Sequence, residues 1–363
     1  MRFHYDTAYT DPQKLLRYRT GWLAYGVLAV ALLAAPWVLP KFYVGELSFL
    51  FILSIGSIGL MILTGYTGQV SLGPATFIAI GAYSHTWFLN HDVPFLLSIV
   101  MAGGFSGLIG LIIGLPAIRV SGLYLAMVTL AFALVVEQLL GRWKSVTGGY
   151  GGVSVPDPSI FGYNLSGLVP FYFLCLAVLV IVLFASINLV RGQTGRAFVG
   201  VRDSEAAAYA LGIWVAGYKV LAFVISAAVT GLAGALFAHH VQFLTPEGLG
   251  LDFSLQLVLM VVIGGLGSIR GAILGAILIG MLPTFISVLK TQVLAPLLPT
   301  SFSTIFGLET FIFGLILALF VLFEPGGLNA RWLKLKNFFE TFPLYRKDTF
   351  RRGKTYMRSE RYR

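Results

Sequence analysis

The sequence predicts an all-α protein, a polytopic transmembrane helical bundle of about ten spans. Three observations lead to this fold class: 57% of the residues are hydrophobic and only 11% charged, apolar runs of membrane-spanning length recur along the chain, and the basic residues concentrate at its two ends. A soluble domain carries roughly a quarter of its residues as charged side chains. Most of this chain's surface must therefore face something other than water.

The predicted spans follow from length and apolarity. Because a helix rises about 1.5 Å per residue, roughly 20 apolar residues cross the roughly 30 Å hydrocarbon core, where backbone groups must bond within the segment. The spans are residues 22–39, 47–64, 72–89, 95–115, 122–140, 168–190, 217–241, 253–267, 271–289 and 305–323. The third contains several polar residues, and the eighth is short enough to be a half-helix or a re-entrant segment. The first is interpreted as a retained helix and not as a cleaved signal.

The distribution of positive charge predicts the orientation. Of the 25 Lys and Arg, four precede Gly21 and eleven lie from Arg331 to Arg363. Basic flanks stay on the cytoplasmic side, so both termini are predicted there and the number of spans is even. The net charge of +10 is thus attributed to orientation and to contact with membrane lipid, not to a nucleic-acid partner.

The resulting organisation has four parts. Residues 1–21 form a cytoplasmic N-terminal segment, 22–330 a transmembrane domain, 191–216 a cytoplasmic loop within it, and 331–363 a basic cytoplasmic tail. The four spans between 47 and 140 begin outside, whereas those between 217 and 323 begin inside. Opposite polarity of two such blocks is typical of an inverted repeat. Their sequence similarity is slight, and coincidence in a largely hydrophobic chain is the alternative.

Motifs for catalysis and cofactor binding are absent from the sequence. There is no GxxxxGK[ST] segment, and the glycine-rich stretch 264–271 departs from GxGxxG because Arg270 occupies the final glycine position. His239 and His240 are adjacent and point to different faces of a helix, and the other histidines are scattered, so neither a metal site nor a cofactor is predicted. Acids at mid-span, which mark ion-coupled carriers, are also lacking. We therefore expect a non-enzymatic chain that receives energy from another subunit.

Residues 64–74 form a polar segment where apolar residues are expected. Hydroxyls, an amide and glycines are tolerated at membrane depth where the backbone lines a cavity, and Pro74 suits the first turn of the helix that follows. The candidates for lining a polar solute's path are therefore Thr67, Gln69 and Ser71, together with Tyr83 in the helix that follows. An ordinary turn between two helices is the alternative.

The loop 191–216 contains a short helix beginning at Ser204. Ser204 suits the N-cap, an acid follows in the first turn, and glycine ends the helix. Its alanine-rich face and flanking charges suit docking to a partner, whereas a surface helix on lipid headgroups is the alternative. The candidate coupling residues are Arg196, Arg202, Asp203, Glu205, Ala206, Ala207, Leu211 and Gly212.

At this loop the chain resembles the branched-chain amino-acid permease family of ABC importers, in particular its M-type subunit. The resemblance is carried by GRAFVGVRDSEAAAYALGI at 195–213, and by TGYTGQVSLGPATFIAIGAY at 64–83. Further blocks agree in order: GLPAIRVSGLYLAMVTLAF at 114–132, TGGYGG at 147–152, VLMVVIGGLGSIRGAILGA at 258–276 and LFEPGGL at 322–328. Together they cover about residues 20–330. The chain departs from the family at Pro74, where histidine is common, and Gly212 comes one residue later than in the general importer motif.

The resemblance implies a heteromeric importer in a bacterial inner membrane. Its partners would be a second homologous permease, two cytosolic ATPase subunits and an external solute-binding protein, with Glu205, Ala206, Ala207 and Gly212 at the ATPase. The implied solute is a branched-chain or related small amino acid. Urea, short amides or small carboxylic acids are alternatives within the same class. An ion-coupled carrier or a channel acting alone is the alternative outside it.

Overall fold

The computed structural model describes residues 19–160, 163–164, 167–289 and 326–341, and the single positions 314, 315, 318 and 322. The described helices are α1 (Arg19–Val38), α2 (Lys41–Leu60), α3 (Pro74–Leu89), α4 (Phe95–Gly114), α5 (Leu123–Arg142), α6 (Lys144–Thr147), α7 (Leu168–Arg191), α8 (Gln193–Asp203), α9 (Glu205–Ala210), α10 (Val215–Val241), α11 (Leu251–Gly264), α12 (Ile269–Leu289) and α13 (Gly327–Thr341). A π-helix, Met61–Tyr66, extends α2, and 3-10 turns lie at 116–118, 149–151 and 247–249.

The structure confirms the helical membrane bundle. Among the described residues, seven helices are long and apolar enough to cross a membrane by length and composition, and the apolar part of α1 is shorter. Each of the first nine predicted spans coincides with a helix to within a few residues. The tenth, 305–323, falls outside the described residues except at four single helical positions. The prediction of ten spans and of cytoplasmic termini therefore stays a prediction.

The two weakest predicted spans are the two short helices among these nine. α3 has 16 residues and follows the long, interrupted α2, whereas α11 has 14 and follows the 27-residue α10. Each block thus runs from a long helix through a break to a short helix and then to a longer one. Short segments at corresponding positions are expected of an inverted repeat. The same order of elements agrees with the repeat proposed from charge.

Helix α10 forms the centre of the bundle and packs against α2, α3 and α4. Four glycines of α4 lie on this contact: a Cβ atom on Gly103, Gly107, Gly110 or Gly114 would approach side chains or backbone of α10 within 3.3 Å or less. Gly81 of α3 and Gly231 of α10 touch through their backbones. Close approach through small residues is how helices associate in lipid, where apolar burial supplies little driving force.

The two ends of the bundle differ. Residues 191–216, with α8 and α9, lie at one end, which we call the α9 end. At the other, the far end, β1 (Val153–Ser154) pairs with β4 (Phe243–Leu244), and β2 (Ser159–Ile160) pairs with β3 (Tyr163–Asn164). Helix α13 begins before the predicted tail boundary at 331 and continues to Thr341, so that boundary falls inside a helix.

Candidate solute path and coupling site

The polar segment begins where α2 ends in its π-helix. Thr67 is the last helical residue and Gln69 lies just beyond it, and their side chains bond to each other and to the surrounding backbone. The Thr67 hydroxyl donates to Leu63 O at 2.5 Å, and Gln69 Nε2 donates to Thr67 Oγ1 at 3.0 Å and to Lys219 O at 3.2 Å. The Gln69 amide therefore joins the end of α2 to the start of α10. π-bulges and broken helices are frequent at functional sites.

Three of the four predicted path residues carry buried polar atoms for which no described residue is a hydrogen-bond partner. These atoms are Gln69 Oε1, Ser71 Oγ and Tyr83 Oη. Their side chains and that of Thr67 are at most 4% exposed. Buried polar groups are nearly always paired, and an unpaired one costs about 1–3 kcal/mol. Within the described residues, this unused hydrogen-bonding capacity is confined to the segment chosen from sequence and the helix after it.

The polar segment also brings the first turns of the two short helices together. Ser254, in the first turn of α11, accepts a hydrogen bond from the Ala75 N–H in the first turn of α3 at 3.2 Å. The Thr129 hydroxyl accepts from Leu72 N at 2.9 Å. All these groups are buried, except that Leu72 is half-buried. The break before α3 therefore packs against α5 and α11 through buried groups, whereas Gly68 and Val70 within it are exposed.

The loop 191–216 folds as two helices, of which the sequence predicted the second. Helix α8 is anchored by the fully buried Phe198. In α9, the Ser204 hydroxyl accepts from Ala207 N at 3.3 Å, and Gly212 has a φ of +79° just beyond the helix end. Both capping predictions are confirmed, because the side chain and the left-handed glycine stand where they were expected.

Arg202 connects this loop to the polar segment. Its Nη1 donates to Gly65 O of the π-helix at 3.1 Å, and its Nη2 pairs with Asp203 Oδ1 at 3.0 Å. Gly68 and Gly267 both have positive φ and both lie against the Arg202 side chain. Arg196 lies apart: it is exposed and bonds to Arg191 O at 3.3 Å.

Glu205 forms an ion pair within the chain. Its Oε1 lies 2.7 Å from Nζ of Lys219, which is 5% exposed, whereas the Glu205 side chain is 50% exposed. Sequence reasoning assigned Glu205 to docking and missed Lys219. The signal was a lysine near the start of a membrane helix, where the helix dipole opposes a cation and a carboxylate partner is needed.

These groups surround a cavity of about 120 Å³ at the α9 end. Its lining is Thr67, Gly68, Gln69, Val120, Ser121, Gly122, Leu125, Val201, Arg202, Glu205 and Lys219. The polar segment and the loop 191–216, which the sequence treated as separate features, therefore share one site.

The remaining predicted coupling residues form an exposed surface. Ala206 and Ala207 are exposed, and Leu211 is 81% exposed. Tyr209 and Trp214 extend the same apolar surface at 78% and 75% exposed, and sequence reasoning did not select them. Exposed apolar side chains of this size beside charged groups are typical of a protein interface.

Two histidines that lie far apart in sequence meet at the far end. His85 Nε2 and His239 Nε2 are 2.8 Å apart, although 154 residues separate them along the chain. No group of three or more metal-ligating side chains exists among the described residues. Pairing of α3 with α10 creates this contact, so no local sequence signal could have predicted it.

Comparison with known proteins identifies the family. Residues 43–323 match the family described as branched-chain amino acid transport system / permease component. The chain belongs to this family. The family is one of membrane permease components, and the seven apolar helices among the described residues agree with a multi-pass membrane protein. The chain's expected resemblance is thus confirmed over most of its length.

Two similar proteins, from Salmonella typhimurium and Escherichia coli, are both named high-affinity branched-chain amino acid transport system permease protein LivM. Each is 34% identical over 278 residues, which is 69% of this chain and 65% of the relative. The chain thus spans about two thirds of their length. An autoinducer 2 import system permease protein LsrC from an Enterobacter species is 30% identical over 57% of this chain and 59% of its own. No solved structure matches the chain significantly.

Proposed function

We propose that this chain is the solute-conducting permease subunit of an ATP-driven importer for a branched-chain or related aliphatic amino acid. The proposed assembly adds a second homologous permease, two cytosolic ATPase subunits and an external binding protein, in a bacterial inner membrane. The observation that carries the proposal is the contact between the candidate coupling helix and the candidate solute path, through Glu205, Lys219 and Gln69.

The proposed coupling route has two steps inside the chain. Movement of α9 displaces Glu205, which holds the Lys219 ammonium at the start of α10. Lys219 O in turn accepts the Gln69 amide, so a shift of α10 changes the position of the polar segment. Arg202 provides a parallel contact, because it holds the π-helix through Gly65 O. Interactions with two discrete arrangements are what couple distant sites.

The proposed solute path is the junction of α3 and α11. The free hydrogen-bonding groups of Gln69, Ser71 and Tyr83 suit a polar solute that passes without a fixed counter-charge. The apolar helices around them suit an aliphatic side chain. Urea, short amides and small carboxylic acids remain outcomes that a competition assay on the assembled importer would separate.

The test is a charge exchange between Glu205 and Lys219 in the importer reconstituted in proteoliposomes. We expect Glu205→Lys to lower ATP-dependent leucine uptake at least tenfold, because two cations then face each other at the buried end of α10. The double variant Glu205→Lys/Lys219→Glu should recover a large part of the uptake. If the double variant is as inactive as the single one, the ion pair does not carry the coupling.

The variant Ala207→Asp tests the binding of the ATPase to α9 separately from the contact between Glu205 and Lys219. Ala207 is exposed, so this change should leave membrane insertion intact and abolish ATPase association and uptake. Co-purification with the ATPase subunits measures the first effect. Glu205→Lys should keep the ATPase bound. Uptake by the chain alone in liposomes, without ATP, would show a channel or carrier and contradict the importer.

A further inference from the structure

The far end contains a second cavity, of about 240 Å³. Its polar lining comes from His239, His240 and Gln242 at the end of α10, from Asp157 in the loop after β1, and from Ser48 of α2. Its apolar lining is Val155, Pro156, Pro158, Leu168 and Phe171. Lys219 and His239 lie near opposite ends of α10, about 30 Å apart at 1.5 Å per residue. This cavity is therefore distinct from the one at the α9 end.

A chain of hydrogen bonds fixes the tautomer of His239. The Ser98 hydroxyl lies 2.8 Å from Phe95 O and 2.8 Å from His85 Nδ1. Because a carbonyl only accepts, the single hydroxyl hydrogen goes to Phe95, and His85 Nδ1–H must donate to Ser98. His85 Nε2 then has no hydrogen and accepts from His239 Nε2–H. This is the assignment in which all three bonds form with both rings neutral.

The consequence is an acceptor nitrogen on His239. With its proton on Nε2, the neutral ring presents a lone pair at Nδ1, the nitrogen that takes no part in the contact with His85. His239 is 7% exposed and lines the cavity. Asp157 supplies a carboxylate to the same cavity. An acceptor nitrogen and a carboxylate together suit a cationic amine, and the apolar lining suits an aliphatic group attached to it.

The backbone of Gln242 has an energetically unfavourable conformation, which supports a binding site at this cavity. Gln242 is the C-cap of α10 with a φ of +62°, a left-handed conformation in which helices usually place glycine. Its carbonyl accepts from Val155 N at 2.9 Å and so holds the 155–158 loop over the cavity. Unfavourable backbone conformations persist where the surroundings enforce them, and they concentrate at binding sites.

We propose that the far-end cavity is a receiving site for the imported amino acid, in which His239 Nδ1 and Asp157 bind its α-ammonium group. This inference rests on the proposed function, and it assigns the class of ligand, a zwitterion with an aliphatic side chain, to a site other than the path near Gln69. Pockets for drug-sized ligands measure roughly 300–1,000 Å³. The smaller far-end cavity is scaled to a solute of amino-acid size.

The test is competition for radiolabelled leucine on the assembled importer in nanodiscs, without the binding protein. The competitors are 3-methylbutylamine, which lacks the carboxylate, and 4-methylpentanoate, which lacks the ammonium. We expect the amine to compete at least tenfold better than the acid. Asp157→Asn and His239→Gln should each weaken leucine binding about tenfold. Glu247→Gln, an exposed carboxylate at the same end that does not line the cavity, should leave it unchanged.

The outcomes separate this inference from the proposed function. Because His239 is buried, His239→Gln is interpreted only if its thermal midpoint matches the parent, whereas Asp157 is exposed and its variant should fold normally. Equal competition by both analogues would overturn the receiving site, and so would leucine binding that Asp157→Asn does not weaken. ATP-driven leucine uptake in the same assembly would still support the importer. If the unmodified assembly takes up no aliphatic amino acid, both the importer and the receiving site are overturned.

Discussion

At the scale of single residues, unpaired polar atoms distinguish the residues of the proposed solute path from residues that only pack in the core. Tyr83 and Tyr172 are both buried tyrosines at 3% and 0% exposure. The Tyr172 hydroxyl donates to Leu32 O at 2.8 Å, whereas no described residue bonds to the Tyr83 hydroxyl. The first is explained by packing alone. The second lowers the stability of the fold, and we attribute it to the solute path.

This contrast gives a paired prediction for two Tyr→Phe changes. Tyr83→Phe removes an unsatisfied group, so the free energy of unfolding should stay equal or rise by about 1 kcal/mol, while uptake falls several-fold. Tyr172→Phe should lower stability by a similar amount and leave the uptake of folded protein unchanged. Thermal midpoints in detergent and uptake per folded transporter measure the two quantities. A stability loss in Tyr83→Phe would contradict an unpaired hydroxyl.

At the scale of elements, small residues determine how closely α10 approaches its neighbours. A Cβ atom on Gly81 would lie 2.2 Å from Gly231 O, and one on Gly234 would lie 2.1 Å from Ile78 O. Both atoms that would clash are backbone, which cannot rotate away. The α3–α10 contact, and with it the His85–His239 pair, therefore depends on glycine at these positions.

Gly81→Ala is expected to separate α3 from α10 and to destabilise the protein by about 1–3 kcal/mol, as overpacking does. The matched control is Gly104→Ala in α4, where no atom lies within 4 Å of the added methyl group. Because alanine is the better helix former, the control should be neutral or stabilising by up to about 1 kcal/mol. Thermal midpoints of the two variants decide the point, and equal midpoints would argue against the close contact.

At the scale of the whole molecule, two cavities lie at opposite ends of one bundle. The α9 cavity is lined by segments that charge placement assigns to the cytoplasm and by adjoining helix ends, whereas the far-end cavity is lined by segments assigned to the outside and by adjoining helix ends. The arrangement agrees with the predicted orientation. An importer needs this polarity, because energy and solute arrive from opposite sides.

Sidedness can be tested with single cysteines. The native Cys175 is fully buried, so it should react little, and Cys175→Ser removes it as a background. Leu211→Cys, at the α9 end, should react with an impermeant maleimide in inside-out vesicles. Asp92→Cys, between α3 and α4 at the far end, should react in right-side-out spheroplasts. Labelling of both positions from one side would contradict the topology.

Sequence alone determined most of the described membrane helices of this protein and several residues of its candidate site. Span length, basic flanks, the Ser204 cap and the unusual polarity of Gln69 and Ser71 are local properties, because helix formation in lipid depends on local apolarity and on backbone bonds within the segment. The same reasoning assigned 64–74 and 191–216 to separate roles. It could not say that they touch.

Tertiary structure alone decided the contacts that give those residues a mechanism. Lys219 meets Glu205, Arg202 reaches Gly65, and His85 meets His239, because glycine-mediated approach to α10 brings distant segments within bonding distance. Such pairings depend on which helices are neighbours, and in a chain where nearly every helix is apolar, periodicity carries little information about neighbours. The sequence therefore predicted the parts of the site, and packing determined how they connect.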